Sequence, residues 1–251
     1  MKTTTTQALL ALNQRFYSVF GPAFAATRRR VQPGIRRVLA GLLPGLRWLD
    51  LGCGSGSVAC AWAETVAAGS YLGVDFSTEL LAEARQVTAS INQSACPIDF
   101  LQLDLGRPDW PVSLPAPAAF DGIFCFAALH HIPAADNRLR LLQQVRALLP
   151  TGGLFYHSEW QFQNSPRLMA RVQPWSAAGL DETDLDPGDT LLDWRQALPG
   201  QAEQTGLRYV HLFNRPELAD LAARSGFELL DEFESDGEGG RLALYQTWQA
   251  V

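Results

Sequence analysis

The stretch Trp48-Leu-Asp-Leu-Gly-Cys-Gly-Ser-Gly-Ser-Val58 carries the strongest structural signal in this 251-residue chain. Its apolar first half predicts a strand that runs into Gly52, Gly54 and Gly56, with a helix beginning directly after them. Glycines at a strand-to-helix turn let the backbone pass against a ligand, and the first turn of the helix offers unpaired N–H groups. The stretch therefore predicts a nucleotide-cofactor site in an α/β fold, although a tight turn without a ligand would use the same glycines.

The spacing of the glycines distinguishes between two cofactors. A dinucleotide-binding turn follows G-x-G-x-x-G, which, counted from Gly52, would place its third glycine at position 57. That position is Ser57, and the third glycine comes one residue earlier, at Gly56, with Asp50 ahead of the turn. This pattern favours S-adenosylmethionine over NAD.

The region from about residue 46 to residue 160 alternates short apolar runs with amphipathic stretches, which is typical of βαβ units in a parallel sheet. The predicted strands are Leu46–Gly52, Tyr71–Asp75, Ile98–Asp104, Asp121–Ala127 and Leu154–Trp160. The clearest helix among them is predicted over Asn137–Leu149, where leucines recur before the stop signal at Pro150.

Residues 161–206 interrupt this alternation with an acidic stretch that contains several prolines, and we expect them to form a lid inserted after the fifth strand. Beyond the lid, a helix is predicted over Pro216–Ser225, followed by an antiparallel hairpin of Phe227–Phe233 and Leu242–Trp248. The chain is thus expected to form a single domain over residues 1–251. Its parts are a basic N-terminal helical cap (1–45), a cofactor-binding core (46–160), the lid (161–206) and a C-terminal helix and hairpin (207–251).

Acidic residues end the second and third predicted strands. Asp75 follows Asp50 by 25 residues, about one βαβ unit, where a carboxylate can accept hydrogen bonds from both ribose hydroxyls. We expect Phe76 to pack on the adenine, Asp104 to lie near the adenine amino group, and Phe126 to lie near the methionine part of the cofactor. Ligands of an open parallel sheet bind outside the carboxyl ends of the strands, so these residues are predicted to converge.

The segments LDLGCGSG, VDFS, LQLDL, FDGIFCFAALHHI and LLPTGGLFYH, in this order over residues 46–160, resemble the class I S-adenosylmethionine-dependent methyltransferases of the type 11 kind. The resemblance implies an α/β fold: a Rossmann-like, doubly wound seven-stranded sheet with an antiparallel last strand and helices on both faces. It also implies S-adenosylmethionine as cofactor and S-adenosylhomocysteine as product. The residues then expected to hold the cofactor are Asp50, Gly52, Cys53, Gly54, Gly56, Asp75, Phe76, Asp104, Leu105, Phe126 and Ala127.

Three further segments resemble one branch of that superfamily, the tRNA methyltransferases that esterify a carboxymethyl group on the wobble uridine. They are Phe24-Ala-Ala-Thr-Arg-Arg-Arg-Val-Gln-Pro, Pro174-Trp175, and Arg208-Tyr-Val-His-Leu-Phe with Glu217-Leu218. This resemblance implies that Arg28 and His211 face the substrate. Two features depart from the branch: Gln32 replaces its tryptophan, and the lid is acidic where that of the branch is generally basic.

His131, which follows the fourth strand together with His130, is a candidate for a general base or a substrate contact. The alternative is that the two histidines form a packed turn that shapes the cofactor pocket. His157 lies in the middle of a predicted strand, where a structural role is expected. The spacing of His, Cys and Asp residues predicts no zinc site.

The net charge of −6 conceals a strong asymmetry along the chain. Residues 1–49 carry eight basic side chains and no acidic one, whereas the remaining residues carry twelve basic and twenty-six acidic ones. We therefore expect arginines such as Arg28 to grip an anionic methyl acceptor. Two acceptors remain open: a small-molecule carboxylate or related metabolite, enclosed by the lid and the N-terminal helices, or a modified tRNA uridine.

Composition excludes several other classes. The apolar runs are too short to cross a membrane, the first residues do not resemble a signal peptide, and four cysteines without paired spacing indicate reduced thiols in a cytoplasmic protein. No membrane or metal partner is expected. The rival hypotheses are a non-catalytic module that binds the cofactor and acts through a partner, and an NAD-dependent reductase.

Overall fold

The computed structural model describes residues 1–26, 30–66, 68–91, 96–117, 119–196 and 204–251. Its helices are α1 (Thr3–Ala26), α2 (Pro33–Ala40), α3 (Ser57–Thr65), α4 (Thr78–Thr88), α5 (Ala135–Ala147), α6 (Pro166–Met169) and α7 (Arg215–Ser225). Its strands are β1 (Leu46–Leu51), β2 (Gly69–Asp75), β3 (Ile98–Gln102), β4 (Gly122–Phe126), β5 (Leu154–Trp160), β6 (Val172–Gln173), β7 (Asp189–Gln196), β8 (Gln204–His211), β9 (Phe227–Ser235) and β10 (Ala243–Ala250).

Seven of these strands form the main sheet, in the order β3-β2-β1-β4-β5-β10-β9. The first five pair in parallel, whereas β10 runs antiparallel to both of its neighbours. This arrangement confirms the predicted seven-stranded sheet with an antiparallel last strand. The order reverses between β1 and β4, and a crevice opens there at the carboxyl ends of the strands.

Helices cover both faces of the sheet, as predicted, because its central strands are apolar on both sides. Along β1, Leu49 and Leu51 are fully buried in the cluster that also holds residues of α5 and α7. Trp48, the residue before Leu49, belongs to the opposite cluster, with residues of α2 and α3, and it stacks on Phe124 at a centroid distance of 4.6 Å.

The lid contains a small antiparallel sheet in the order β6-β7-β8. The sequence placed the end of the lid at residue 206, but β8 pairs with β7 along its whole length, from Gln204 opposite Gln196 to His211 opposite Asp189. The small sheet therefore ends at His211. Local sequence does not reveal that the partner of β8 lies earlier within the lid, so this pairing was not predicted.

Helix α1 is fastened across β8 through Asn13. The Asn13 Oδ1 atom accepts a hydrogen bond from the Tyr209 N–H at 2.8 Å, and Asn13 Nδ2 donates to the Tyr209 carbonyl oxygen at 3.1 Å. Gly206 permits the close approach, because a Cβ atom at that position would lie 2.6 Å from the Phe20 ring. Among the described residues, no helix combines the length and the apolar character that a membrane crossing requires.

Replacing Asn13 with Ala is expected to lower the free energy of unfolding by about 1–3 kcal/mol, because it leaves a buried backbone N–H and C=O without their side-chain partners. Urea denaturation measures this loss. Gln7→Ala, on the exposed face of the same helix, is the matched control and is expected to change stability by less than about 0.5 kcal/mol. Equal stabilities for the two variants would contradict the role given to Asn13.

Candidate functional site

A cavity of about 550 Å³ lies at the carboxyl ends of the central strands, between the main sheet, α1 and the lid. Its volume falls in the range of small-molecule sites. Nine of the predicted cofactor residues line it: Gly52, Cys53, Gly54, Asp75, Phe76, Asp104, Leu105, Phe126 and Ala127. The two others, Asp50 and Gly56, lie just behind the cavity wall.

The glycine turn has a left-handed backbone at Gly52, Gly54 and Gly56. Gly52 has a φ of 75°, and a Cβ atom there would lie 2.6 Å from the Ala128 side chain. Gly56 has a φ of 81°, and a Cβ atom there would lie 2.9 Å from the Ala84 backbone. Gly56 therefore serves the packing of α3 against α4, whereas Gly52 and Gly54 open the wall of the cavity.

Asp50 supports the turn from beneath. Its carboxylate accepts a hydrogen bond from the Tyr71 hydroxyl, and burial raises the pKa of Asp50 to about 7, although that hydrogen bond lowers it. Asp50, one of the predicted cofactor residues, is buried in the sheet and does not line the cavity.

Asp75 joins the second strand to the glycine turn. Its Oδ1 accepts a hydrogen bond from the Ser77 N–H at 2.9 Å, and its Oδ2 accepts one from the Gly54 N–H at 3.0 Å. Burial raises the pKa of Asp75, while these backbone donors lower it. The carboxylate is thus held in the cavity wall in one fixed orientation.

Asp104 connects the third strand end to α1. Its Oδ1 accepts a hydrogen bond from the Gly106 N–H at 2.9 Å, and its Oδ2 accepts one from Gln14 Nε2 at 2.9 Å. Gln14 therefore closes this end of the cavity. Gln14 could not be predicted from the sequence, because it lies 90 residues from its partner and in no motif.

The cavity is also lined by His131, Tyr17 and Arg208. The Tyr17 hydroxyl lies 2.9 Å from His131 Nε2, and His131 Nδ1 lies 3.0 Å from the Tyr209 carbonyl oxygen. The Arg208 guanidinium is 4% exposed and lies over the Trp160 ring at 4.7 Å. Burial lowers the pKa of Arg208, while the neighbouring Tyr17 hydroxyl raises it.

His211 lies outside this cavity, contrary to the expectation that it faces the substrate. Its Nδ1 is 2.7 Å from Asp189 Oδ1, and its Nε2 is 2.8 Å from Glu217 Oε1. Side chains alternate along a strand, so Arg208 and His211, three residues apart in β8, point to opposite faces. The same segment therefore presents Arg208 to the cavity and His211 to the back of the lid.

The remaining basic candidates have different positions. Arg28 lies outside the described residues, while its neighbour Arg30 lines the cavity. His130 also lines the cavity, with its Nδ1 3.1 Å from Glu159 Oε2. His157 is also buried and contacts the same carboxylate, with its Nδ1 3.0 Å from Glu159 Oε1. Burial lowers the pKa of His157 to about 3.

In the parts of the chain that the structure describes, no cluster of His, Cys, Asp and Glu is suited to hold a metal ion. Trp175 lies in a second cavity of about 700 Å³ on the lid, away from the glycine turn. Trp194 packs on Phe20 of α1 at a centroid distance of 5.4 Å.

Comparison with known proteins agrees with this geometry. A family model described as a methyltransferase domain matches residues 24–232. A putative methyltransferase of Encephalitozoon cuniculi is 29% identical over 222 residues, covering 86% of this chain and 87% of that protein. A probable tRNA methyltransferase 9B of Mus musculus is 23% identical over 165 residues, covering 64% of this chain and 33% of that protein.

Solved structures share the fold. The 1,6-didemethyltoxoflavin N1-methyltransferase of Burkholderia thailandensis, with bound 1,6-didemethyltoxoflavin and S-adenosylhomocysteine, aligns with a TM-score of 0.64 at 17% identity. The alignment covers 100% of this chain and 92% of that one. The two chains therefore share their fold. Because the family model matches most of the chain, the protein belongs to the methyltransferase domain family.

His211 makes the stability of the lid depend on pH. Burial lowers its pKa, but the hydrogen bonds to Asp189 and Glu217 outweigh burial, so its pKa in the folded protein is raised. The contacts of protonated His211 with Asp189 and Glu217 therefore stabilise the folded protein fully below the unfolded pKa of about 6.5. This stabilisation is lost as pH rises through the pKa of His211 in the folded protein. His211→Gln is expected to destabilise the protein by about 2 kcal/mol at pH 6, and by less at pH 9.

Thermal unfolding of both proteins between pH 6 and pH 9 measures this difference. The comparison between the two proteins removes the contribution of other titrating groups. A difference in stability that stays constant over this range would contradict a charged His211.

Proposed function

We propose that this protein transfers a methyl group from S-adenosylmethionine to a small anionic molecule that Arg208 holds in the 550 Å³ cavity. The observation that carries this proposal is a buried guanidinium in the wall of the same cavity that contains the glycine turn and the acidic strand ends.

The described residues fit the cofactor. The Asp75 carboxylate is oriented to accept hydrogen bonds from ribose hydroxyls, and Asp104 would meet the adenine amino group. Gly54 leaves the wall open, since nothing lies within 4 Å of where its Cβ atom would be. Phe76 and Leu105 supply apolar surface for the adenine ring.

Arg208 supports an anionic acceptor for two reasons. A guanidinium offers five N–H donors in a planar fork, which grips a carboxylate or a phosphate with two parallel hydrogen bonds. Bringing a cation into the wall of a mostly buried cavity is costly, and an anionic ligand offsets that cost. Trp160 holds the guanidinium in place by stacking, so the fork is oriented before a ligand arrives.

The shape of the site favours a small molecule over RNA. Leu10, Asn13, Gln14 and Tyr17 of α1 cover one side of the cavity, and Leu168 and Arg208 of the lid cover another. The lid segment 181–193 carries six acidic residues and no basic one, which would repel a phosphate backbone. The tRNA uridine suggested by the narrower resemblance is therefore the second candidate.

Cofactor binding is tested by Asp75→Ala. The change removes the predicted acceptor of two ribose hydrogen bonds, so the affinity for S-adenosylhomocysteine is expected to fall about 100-fold in calorimetry. Asp99→Ala, an exposed aspartate on β3, is the matched control and should leave the affinity unchanged. Unchanged affinity in the Asp75 variant would show that the cofactor site is wrongly located, and preference for NADH would overturn the assignment.

The acceptor is tested by transfer of labelled methyl from S-adenosylmethionine into RNA, protein and small-molecule fractions of a cell extract. We expect label in anionic small molecules. Arg208→Met keeps the apolar stem beside Trp160. We expect this variant to lower the transfer at least 100-fold, because it loses a charged contact of about 3 kcal/mol, and to retain the affinity for S-adenosylhomocysteine. Arg167→Met, an exposed change elsewhere in the lid, is the control. Label confined to RNA, or full activity of Arg208→Met, would contradict the proposal.

A further inference from the structure

The position of one hydrogen atom on His131 follows from its surroundings. His131 Nδ1 lies 3.0 Å from the Tyr209 carbonyl oxygen, and a carbonyl oxygen can only accept a hydrogen bond. Nδ1 therefore carries the hydrogen. In the neutral imidazole the other nitrogen, Nε2, then has the lone pair, and it accepts the hydrogen of the Tyr17 hydroxyl at 2.9 Å.

Asn13 supports this assignment from the other side. Its Oδ1 accepts the Tyr209 N–H at 2.8 Å, which fixes the amide so that Nδ2 faces the Tyr209 carbonyl oxygen. Nδ2 is 3.1 Å from that oxygen but 3.4 Å from His131 Nδ1. The carbonyl oxygen thus accepts from both Asn13 and His131, and it has two lone pairs with which to do so.

Tyr17 consequently presents its oxygen to the cavity as a hydrogen-bond acceptor. A phenol has one hydrogen, and the Tyr17 hydrogen points at His131 Nε2. The phenol oxygen can accept from more than one donor, so the nearby Arg208 and a ligand can both approach it. A carboxylate accepts hydrogen bonds only, and Tyr17 has no proton with which to orient one. A group that carries O–H or N–H, in contrast, can donate to Tyr17.

We propose that the methyl acceptor of this site carries a protic oxygen or nitrogen that is separate from its anionic group, and that Tyr17 and His131 remove its proton. This inference rests on the proposed function, in which Arg208 holds the anion. The acceptor class is therefore a small molecule with a carboxylate or phosphate and a hydroxyl, phenol or amine. Tyr17 is the residue that touches the accepting group, and His131 acts through Tyr17.

The proton moves in two short steps. The accepting group passes its proton to Tyr17 Oη while the hydrogen of Tyr17 passes to His131 Nε2, which makes the imidazole a cation. The Tyr209 carbonyl stabilises that cation through the hydrogen on Nδ1. When bound, S-adenosylmethionine supplies a methyl group and keeps the electron pair of the broken C–S bond, while the acceptor supplies the pair for the new bond. The sulfonium charge is lost as the imidazolium charge forms, so the total charge of the site is constant, and His131 later releases its proton to water.

The hydrogen position on His131 can be measured without activity. Long-range ¹H–¹⁵N correlation spectra of the full-length protein with S-adenosylhomocysteine bound, at a pH where the ring is neutral, report which nitrogen is protonated. The His131→Asn variant identifies the signals of His131 among the four histidines. We expect a hydrogen on Nδ1. A hydrogen on Nε2 would overturn the inference, because Tyr17 would then direct its own proton into the cavity.

Tyr17→Phe tests the relay by removing only the hydroxyl. The ring contacts with Phe16 and Phe76, at centroid distances of 5.1 and 5.9 Å, remain available to the phenylalanine. We expect the His131 Nε2 resonance to move downfield in this variant as its donor is lost. Tyr156→Phe, a half-buried tyrosine that does not line the cavity, should leave that resonance unchanged. An unchanged His131 signal in Tyr17→Phe would overturn the relay.

The alkali stability of the methylated product tests this inference independently of the proposed function. Labelled small molecules from the extract are treated with mild alkali, which hydrolyses methyl esters and spares methyl ethers and methylamines. We expect the label to survive, and kcat with this fraction to fall about 100- to 10,000-fold in Tyr17→Phe with little change in KM. Label released by alkali would overturn the protic acceptor while the proposed function stands. Absence of label from the small-molecule fraction would overturn the proposed function itself.

Discussion

The arrangement of the residues around the cavity depends on the backbone of Tyr209. Its N–H and C=O groups both pair with Asn13, which fastens α1 across the lid sheet. The same carbonyl oxygen accepts from His131 Nδ1, and so it orients the ring against Tyr17. The backbone of one residue thus connects the N-terminal helix, the lid and the turn after β4. The cavity between them has its shape because these three parts are held at a common position.

Strand β8 separates two chemical environments by the alternation of its side chains. On one face, Arg208 reaches the cavity and stacks on Trp160. On the other face, the Tyr209 hydroxyl donates to Asp189 at 2.7 Å, and His211 contacts the same carboxylate. Behind the strand, the contact of His211 with Glu217 joins the lid to α7. The part of the lid that carries Arg208 is therefore anchored on the face away from the cavity.

The sequence alone was sufficient to predict the features that depend only on a strand and on the residues directly after it. The parallel strands, the glycine turn and the acidic ends at Asp75 and Asp104 are of this kind, since parallel strands bring their carboxyl ends to one edge. Tyr17 and Gln14 were missed because their partners lie 114 and 90 residues away and α1 carries no motif. Arg208 lies in the segment already singled out for His211, but the two side chains point to opposite faces of β8, and Arg208 lines the cavity. Counting the strand alternation from either residue would have shown that both could not face the same ligand.

Folding partly offsets the charge asymmetry that is seen along the sequence. The basic N-terminal segment lacks acidic neighbours in sequence, but the folded chain brings some to it: Lys2 lies 2.7 Å from Asp184 of the lid, and Arg37 lies 3.8 Å from Asp231 of β9. Such exposed pairs contribute little stability, yet they lower the local positive potential that a phosphate backbone would need. Arg208 is different, because in a cavity of low dielectric a cation acts on a ligand far more strongly than it would at the surface. Among the described residues, Arg208 is the buried arginine that lines the cavity, so we assign the proposed recognition of an anion to Arg208 and not to the basic segment that first suggested it.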